Sequence, residues 1–428
     1  MIHKIIIILL LFISGGAIIL IGGGIYFYGI FLAFLIGCLF MGGKPIKVSM
    51  PSIRNILVLF FMFLFLIAVR GDSFILVENA DISLKFLIII MFSVYVTTFY
   101  QSPKAFFSNV TNVFESLIKF SLVTALLMNL LPALLVDVGQ RFVITHDQYQ
   151  TFLGLAYART DDFTKYKFYR NQSIFWEPGV YATMITVIYM VKVFYLKEKK
   201  RLYWYYIGIF STVSMGGILI FVMLNIFRWM SGTKETGRGS SILVKLLIAL
   251  PIFTIFDLIY YYSTDVLTLF GLVFHRKLSS DSSINTRYQD LYYGFLASKD
   301  EILTGHGQDY SAYYKVTFSA LNTSKEAYGG GITNSIITIL YCYGVFYLLV
   351  YIILMFKSAM QLSHRNALLI FFTLIALLML EPLNFSLFMV YIFTFREEKI
   401  KLASPPVVAG PLFGLKETSH SYLKGGFN

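Results

Sequence analysis

The chain has 428 residues, of which 57% are hydrophobic and only 14% are charged, and its mean hydropathy is +0.72. A soluble domain carries about 25% charged residues, so this composition excludes a soluble enzyme and predicts a polytopic membrane protein. The net charge of +12 does not indicate a nucleic-acid partner, because Lys and Arg fall mostly in short loops between apolar segments, where the positive-inside rule places them. Cys38 and Cys342 both lie within apolar runs and indicate neither a disulfide nor a zinc site.

Apolar segments recur along the chain and predict about twelve transmembrane helices with both ends in the cytoplasm. The N-terminal segment predicts a retained span, because no small-residue cleavage site closes it. The spans predicted in the first half of the chain are Ile5–Leu20, Tyr26–Phe40, Ile53–Val69, Leu84–Tyr100, Leu117–Val136 and Ile174–Leu196. Gln101–Ser116, which precedes the fifth of them, predicts an interfacial segment on the inner face.

The second half predicts further spans around one long polar interval. Leu202–Phe227 is too long for one ordinary span and is basic at both ends, so two short helices that meet near Ser211–Gly217 fit it better. The later predicted spans are Ile242–Ser263, Ile332–Phe356, Asn366–Leu380 and Leu383–Phe395, the last two forming a hairpin broken at Glu381-Pro382.

The predicted fold class is therefore an all-α polytopic membrane protein. Its transmembrane domain comprises residues 1–402, with a medium external loop at about 137–173 and a large one at about 265–331. Residues 403–428 are rich in Pro and Gly, without periodicity, and predict a disordered cytoplasmic tail.

The first polar cluster on the external side contains Arg159 and Arg170 and ends in Trp176-Glu177-Pro178. Proline is typical of the first position of a helix, and an acidic residue interacts favourably with the positive end of the helix dipole. A structural role therefore explains Glu177 as well as a functional one does. It does not explain Arg170, because positive charge is disfavoured on the outer face.

The second cluster lies in the large loop. Its candidates for binding or catalysis are Arg276, Arg287, Tyr288, Asp290 and His306. Helical spacing over 288–296 predicts a helix with Arg287 at or near its start, where a guanidinium adds to the backbone donors that bind phosphate. A salt bridge between Arg287 and Asp290, and a loop histidine without a role, remain the structural alternatives.

A third cluster, Glu381-Pro382, sits at the tip of the last hairpin, where a simple helix break is the favoured interpretation. The sequence contains no P-loop, no His-Glu-x-x-His motif, no Asp-x-Asp pair and no Gly-x-Ser-x-Gly elbow, so it predicts no metal and no cofactor. Arginine forks bind phosphates and aromatic faces stack on sugar rings. A lipid pyrophosphate that carries an oligosaccharide presents both groups at the bilayer surface.

With these features the chain resembles the O-antigen polymerase (Wzy) and O-antigen ligase superfamily of bacterial inner membranes. The segments that carry the resemblance, in order, are Arg170 with Phe175–Ala182, Ser211–Gly217, Ser283–Arg287 leading to Gly305–Gly307, Asn334-Ser335 with Gly344, and Glu381-Pro382. Ligases resemble one another in a histidine near the end of the large loop. Residues 331–335 contain no histidine, and this departure favours a polymerase.

The resemblance implies a metal-independent glycosyltransferase of the inner membrane with its active site on the periplasmic face. Such an enzyme transfers the growing glycan from undecaprenyl pyrophosphate to an incoming lipid-linked repeat unit. Arg159, Arg170, Arg276 and Arg287 are then expected to bind pyrophosphate, with Trp176 and Tyr288 on the substrate. Glu177, His306 and Asp290 are the candidates for the catalytic base.

The partners implied are the lipid-linked oligosaccharide, membrane lipid, and the chain-length regulator and flippase of the same pathway. Two other functions remain open. One is an O-antigen ligase, which uses the same donor but a lipid A-core acceptor. The other is a flippase for lipid-linked oligosaccharides, which is not an enzyme.

Overall fold

The computed structural model describes residues 2–15, 24–71, 77–100, 102–137, 149–152, 156–160, 168–175, 177–232, 282–321, 332, 334–383 and 385–396. The predicted span Ile242–Ser263, the predicted tail, Trp176 and Arg276 lie outside these residues. Within them the fold is mostly helical, with three short strands.

The helices of the first half are α1 (Ile2–Ser14), α2 (Gly24–Met41), α3 (Met50–Arg70), α4 (Val77–Phe99), α5 (Pro103–Leu130) and α6 (Pro178–Met190), which continues as a π-helical turn over Val191–Tyr195. Those of the second half are α7 (Tyr203–Ser211), α8 (Met215–Gly232), α9 (Ser282–Ala297), α10 (Ser311–Leu321), α11 (Ser335–Leu362), α12 (Ala367–Leu380) and α13 (Leu387–Thr394).

Five of the described helices are long and apolar enough to cross a membrane: α3, most of α4, α5, α6 with its π-helical turn, and α11. Shorter apolar helices accompany them, namely α1, α2, α8 and α12. A bilayer core needs about 20 apolar residues in helical form, so these helices indicate a multi-pass, predominantly α-helical membrane protein, as predicted. The count of about twelve spans and the two external loops remain predictions.

The centre of the bundle is formed by α6 and α13. Every residue of both helices is buried, which is the expected position for a helix that is apolar on all sides. Tyr391 on α13 packs edge-on against Phe106 of α5 and Phe92 of α4, with ring centroids 5.6 and 5.1 Å apart. The long helices therefore surround a core of aromatic contacts.

The prediction of a separate interfacial segment over Gln101–Ser116 is wrong for its described residues 102–116, because they cap and begin the 28-residue helix α5. Ser102 caps this helix by accepting a hydrogen bond from the backbone N–H of Ala105 at 3.2 Å, and Pro103 occupies its first position. Phe106 and Phe114 are fully buried. This part of the chain therefore packs within the bundle as the first half of a continuous helix.

A three-stranded antiparallel sheet follows α5 and was not predicted. Its strands, in the order β1-β2-β3, are β1 (Leu135–Asp137), β2 (Tyr149–Phe152) and β3 (Ala156–Arg159). The sheet packs Phe152 and Ala158 against Met128 at the end of α5. It covers the end of the bundle at which α5 terminates.

The two helix breaks predicted in the second half are confirmed. Helices α7 and α8 meet at Thr212–Ser214, inside the predicted Ser211–Gly217, and α12 and α13 are separated at Glu381-Pro382. Both breaks lie within apolar sequence, where freed backbone groups must be bonded by protein. They therefore mark positions at which polar side chains are needed.

Helix α11 contains a further break at Gly344, whose backbone adopts φ 76° and ψ 176°. Residues 302–307 fill this break. His306 N–H donates to the carbonyl of Tyr341 at 2.7 Å, and Gly307 N–H donates to that of Cys342 at 3.0 Å. Arg70 donates to the carbonyls of Thr304 and Cys342 at 2.8 and 3.0 Å. The loop after α9 is thereby bonded directly to the interior of α11.

Replacing Gly344 with alanine tests this arrangement. An added Cβ would lie 2.1 Å from the carbonyl oxygen of Leu303, and only glycine readily adopts this backbone conformation. We expect Gly344→Ala to lower the free energy of unfolding in detergent by about 3 kcal/mol.

Gly37→Ala in α2 is the matched control, because no atom lies within 4 Å of its added Cβ and alanine favours helix. Equal thermal midpoints for the two variants would contradict the role given to the break.

Candidate functional site: a polar layer within the bundle

Polar side chains gather at the level where α6 and α11 begin and α7 and α12 end. We call this group the polar layer and define it by six residues: Ser121, Asn171, Glu177, Ser211, Ser335 and Glu381. All but Glu177 and Ser211 are buried. Helix α5 continues for nine residues beyond Ser121, about 14 Å at 1.5 Å per residue. The layer therefore lies inside the bundle, about 14 Å from the end at which α5 terminates.

Asn171 connects three elements of the layer. Its side-chain amide donates to the hydroxyls of Ser121 on α5 and Ser211 at the end of α7, at 3.2 and 2.9 Å. Its side-chain oxygen accepts from the N–H of Ser173 at 3.1 Å, and its own N–H donates to the carbonyl of Ser211 at 3.2 Å. Ser121 in turn hydrogen-bonds to the hydroxyl of Tyr181 on α6, at 2.7 Å.

The segment 168–175, which carries Asn171, is non-helical up to Gln172 and then turns at Ser173, where Phe175 N–H donates to the carbonyl of Gln172 at 3.0 Å. Asn129 holds it by pairing with both backbone groups of Tyr169, accepting from its N–H at 2.7 Å and donating to its carbonyl at 3.0 Å. Tyr157 N–H on β3 donates to the carbonyl of Ser173 at 3.1 Å. Side chains thus replace the backbone partners that a helix would have supplied.

Gln172 lies at the deepest point of this segment and is fully buried. Within the described part of the chain, neither atom of its side-chain amide has a hydrogen-bond partner. A buried amide without a partner costs about 1–3 kcal/mol. Gln172 is therefore a buried polar group next to Asn171 of the polar layer, and the described residues leave its amide unsatisfied.

Glu381 occupies the break between α12 and α13 and is almost completely buried, with 3% of its surface exposed. Its backbone carbonyl accepts from the hydroxyl of Ser335. That hydroxyl in turn accepts from the N–H of Leu383 at 2.6 Å. Ser335 is the first residue of α11, so one hydroxyl joins the start of this helix to the end of α12.

The carboxylate of Glu381 lies against the first turn of α6. A Cβ added at Gly179 would lie 2.0 Å from Oε1 of Glu381, so only glycine permits this approach. Glu177 is the N-cap of the same helix and makes no side-chain capping bond. Two carboxyl groups therefore meet the positive end of the α6 dipole, which favours negative charge.

A second polar group surrounds His306, farther along α11. Nε2 of His306 lies 2.8 Å from the carbonyl oxygen of Ala297, and its ring stacks on Tyr341 at 4.8 Å. Since a carbonyl oxygen only accepts, Nε2 carries the proton, and Nδ1 of the neutral ring keeps its lone pair. Tyr341 follows Ser335 by six residues, about 9 Å along the helix axis.

Asp290 and Asp309 belong to the surroundings of His306. Asp290 is fully buried and accepts from the hydroxyl of Tyr313 at 2.6 Å. Asp309 precedes α10 and accepts from the N–H and hydroxyl of Ser311 at 2.9 and 2.8 Å. These hydrogen bonds lower the pKa of Asp309, so its carboxyl group is ionised at neutral pH.

The structure brings some of the predicted site residues together. Glu177 is in the polar layer, and the buried Arg170 precedes Asn171 in the segment that enters it. His306 stacks on Tyr341, and Asp290 accepts from the hydroxyl of Tyr313. Because Tyr313 N–H donates to the hydroxyl of Tyr341, His306 and Asp290 belong to one cluster. Arg159 ends β3 and is half-buried.

The remaining predicted site residues are described in part or not at all. Arg287 and Tyr288 lie in α9, of which only the backbone is described at these positions. Helix α9 begins at Ser282, so Arg287 lies beyond the first four N–H groups of the helix rather than at its start. Trp176 and Arg276 lie outside the described residues.

Sequence reasoning misses several residues of the site. It assigns Glu381 to a simple helix break, and it singles out neither Ser121 nor Asn171 of the polar layer, nor the neighbouring Gln172. The Glu-Pro pair between two apolar segments was the available signal for Glu381, because a carboxyl group within membrane-spanning sequence is costly unless it is used. Nothing in the sequence distinguishes Asn171 from other loop asparagines.

Among the described residues, no group of three or more His, Cys, Asp or Glu side chains could hold a metal ion. Comparison with known proteins gives no further guidance to the site, since no protein-family model and no curated protein sequence matches this chain.

Asn171→Ala tests whether the layer holds the bundle together. The variant removes the amide that donates to the hydroxyls of Ser121 and Ser211 and leaves the buried N–H of Ser173 unpaired, so we expect a loss of about 3 kcal/mol in the free energy of unfolding. Asn109→Ala is the control, because Asn109 is exposed on α5 and donates only to the carbonyl of Ala105. Denaturation of both purified variants in micelles gives the comparison, and equal stability would refute the role of Asn171.

Proposed function

We propose that this protein is a polysaccharide polymerase of the bacterial inner membrane. It transfers a growing glycan from undecaprenyl pyrophosphate to a lipid-linked repeat unit on the periplasmic face. The proposal rests on the order of sequence features that resemble the O-antigen polymerase and ligase superfamily. The observation that supports it most is the buried carboxyl group of Glu381 against Gly179 in the first turn of α6, the helix that Glu177 precedes. Ionisable groups at membrane depth are costly and are characteristic of functional sites.

The reaction has two electrostatic requirements. The leaving pyrophosphate develops negative charge, which arginine side chains can stabilise without a metal. We assign this role to Arg170, with Arg159, Arg276 and Arg287 as further contributors from the two loops. The acceptor hydroxyl must be oriented and relieved of its proton. We assign this role to the polar layer, where Glu177 and Glu381 supply carboxylate acceptors.

His306 is the second candidate for the base. Its Nδ1 has a free lone pair when Nε2 donates to Ala297, so it can accept a proton from a sugar hydroxyl. Asp290 is less suited to this role, because it is fully buried and bonded to Tyr313. We therefore assign Asp290 to positioning of the aromatic residues around His306.

A gel of surface lipopolysaccharide from a strain that lacks the protein tests the function directly. Core capped with a single repeat unit is the result expected for a polymerase. Bare core with lipid-linked polymer outside would identify a ligase, and bare core with repeat units held on the inner face would identify a flippase. An unchanged ladder would contradict all three.

Complementation of that strain with Glu381→Gln tests the site. Glutamine keeps the size of the side chain against Gly179 but removes its charge, so we expect polymer synthesis to fall by about 10²-fold or more with normal protein level. Arg170→Ala and Arg287→Ala are expected to shorten the ladder.

Glu301→Gln is the matched control, because Glu301 is exposed and its carboxyl group accepts from the nearby hydroxyl of Thr304 at 3.0 Å. A full ladder from Glu381→Gln, or one equal to the control, would refute the proposed site.

A further inference from the structure

The opposite end of the bundle carries a second group of polar features, independent of the proposed function. Helix α3 begins there and α13 ends there, joined by a hydrogen bond from Asn55 to the carbonyl of Thr394 at 3.1 Å. Ser52 also accepts from the N–H of Arg396 at 2.8 Å. Two arginines, Arg54 and Arg396, consequently lie close together at this end.

These two arginines and Lys357 form what we call the cationic mouth. Burial, and the nearby positive charge of Arg54, lower the pKa of Arg396 to about 10. Arg396 donates to the carbonyls of Phe393 and Phe395 at 3.2 and 2.6 Å. Within the described residues, none of the three cations forms an ion pair with a carboxylate. Glu397 and Glu398 follow Arg396 in the sequence and are not among those residues.

Arg54 carries positive charge near Arg396, and the first turn of α3 contains no acidic residue that would compensate it. Like charges at short distance repel each other. An external negative charge at the cationic mouth would relieve the repulsion between Arg54 and Arg396.

Two apolar grooves lead away from the cationic mouth along the outside of the bundle. The α3 groove has a volume of about 670 Å³ and is lined by Arg54, Leu57, Val58 and Phe61 among others. The α11 groove has a volume of about 730 Å³. Its lining includes Lys357 and Arg396, with Ile352, Ile353, Phe356 and Phe371 as its apolar walls. Helices α3 and α11 pack against each other, with Phe63 and Tyr343 5.9 Å apart.

We propose that the cationic mouth and its two grooves bind one anionic phospholipid. The phosphate lies among Arg54, Lys357 and Arg396, and one acyl chain follows each groove. Three cations above two apolar grooves match a diacyl lipid in both charge and shape, and a free phosphate would leave the grooves unused. Positive side chains at a membrane surface strengthen the binding of anionic lipid.

Titration of the purified full-length protein in detergent tests the site. Phosphatidylglycerol and phosphatidylcholine with identical acyl chains are added separately, and binding is followed by native mass spectrometry and by the thermal midpoint. We expect at least about tenfold tighter binding of phosphatidylglycerol. Equal binding of the two lipids would overturn the proposal. So would inorganic phosphate that raises the thermal midpoint as much as the lipid does, because the site would then bind only phosphate.

The variant Arg54→Gln with Lys357→Gln locates the site, since both side chains are exposed. It should lose most of the preference for phosphatidylglycerol. Lys199→Gln with Lys200→Gln is the control, because it removes the same charge from exposed positions between α6 and α7. A preference retained by the first variant, or lost equally by both, would overturn the proposal. If the first variant does not fold, the proposal is still tested by the two lipid titrations and the phosphate titration of the natural chain.

Discussion

Inside a bilayer, every backbone N–H and C=O group must find a partner within the protein, and this constraint governs the arrangement of the bundle. Helices that begin, end or break within apolar sequence release such groups, and polar side chains at the same level bind them. Asn171 joins α5, α7 and the segment that enters the bundle, while Ser335 joins the start of α11 to the end of α12. The polar layer is therefore first a structural requirement. The residues of the polar layer also bring carboxyl groups and hydrogen-bond donors together within the bundle.

The elements that could be predicted are those whose signal is local. The apolar segment Leu202–Phe227 is too long for one span and is basic at both ends, which predicts the break between α7 and α8. The pair Glu381-Pro382 predicts the break after α12. The elements that could not be predicted depend on distant partners. Helix α5 is continuous because Phe106 and Phe114 pack within the bundle, and their apolar character suits the membrane surface equally well. The break at Gly344 exists because residues 302–307 enter α11 from about 40 positions earlier, and one glycine in an apolar segment does not reveal such pairing.

The residues of the candidate site divide in the same way, into those with a local sequence signal and those that depend on distant partners. Glu177 and Arg170 stand out in the sequence because charge is rare near apolar segments. Glu381 also follows an apolar segment, but its place in the site depends on its close approach to Gly179, a residue 202 positions earlier in the chain. The sequence makes Asp290 a candidate for the catalytic base, yet its burial and its bond to Tyr313 are typical of a structural carboxylate. Residue type thus limits the choice of candidates, and the packing of α6 against the end of α12 selects among them.

Reconstitution of the purified protein in vesicles tests the central claim most directly. The vesicles would contain undecaprenyl pyrophosphate linked to one repeat unit of the host polysaccharide, and mass spectrometry would follow the length of the glycan. A polymerase joins repeat units into longer chains on one carrier and releases one undecaprenyl pyrophosphate for each bond formed. We predict such chains from the natural protein and their loss in Glu381→Gln. Repeat units that stay unjoined in the presence of correctly folded protein would contradict the proposed function.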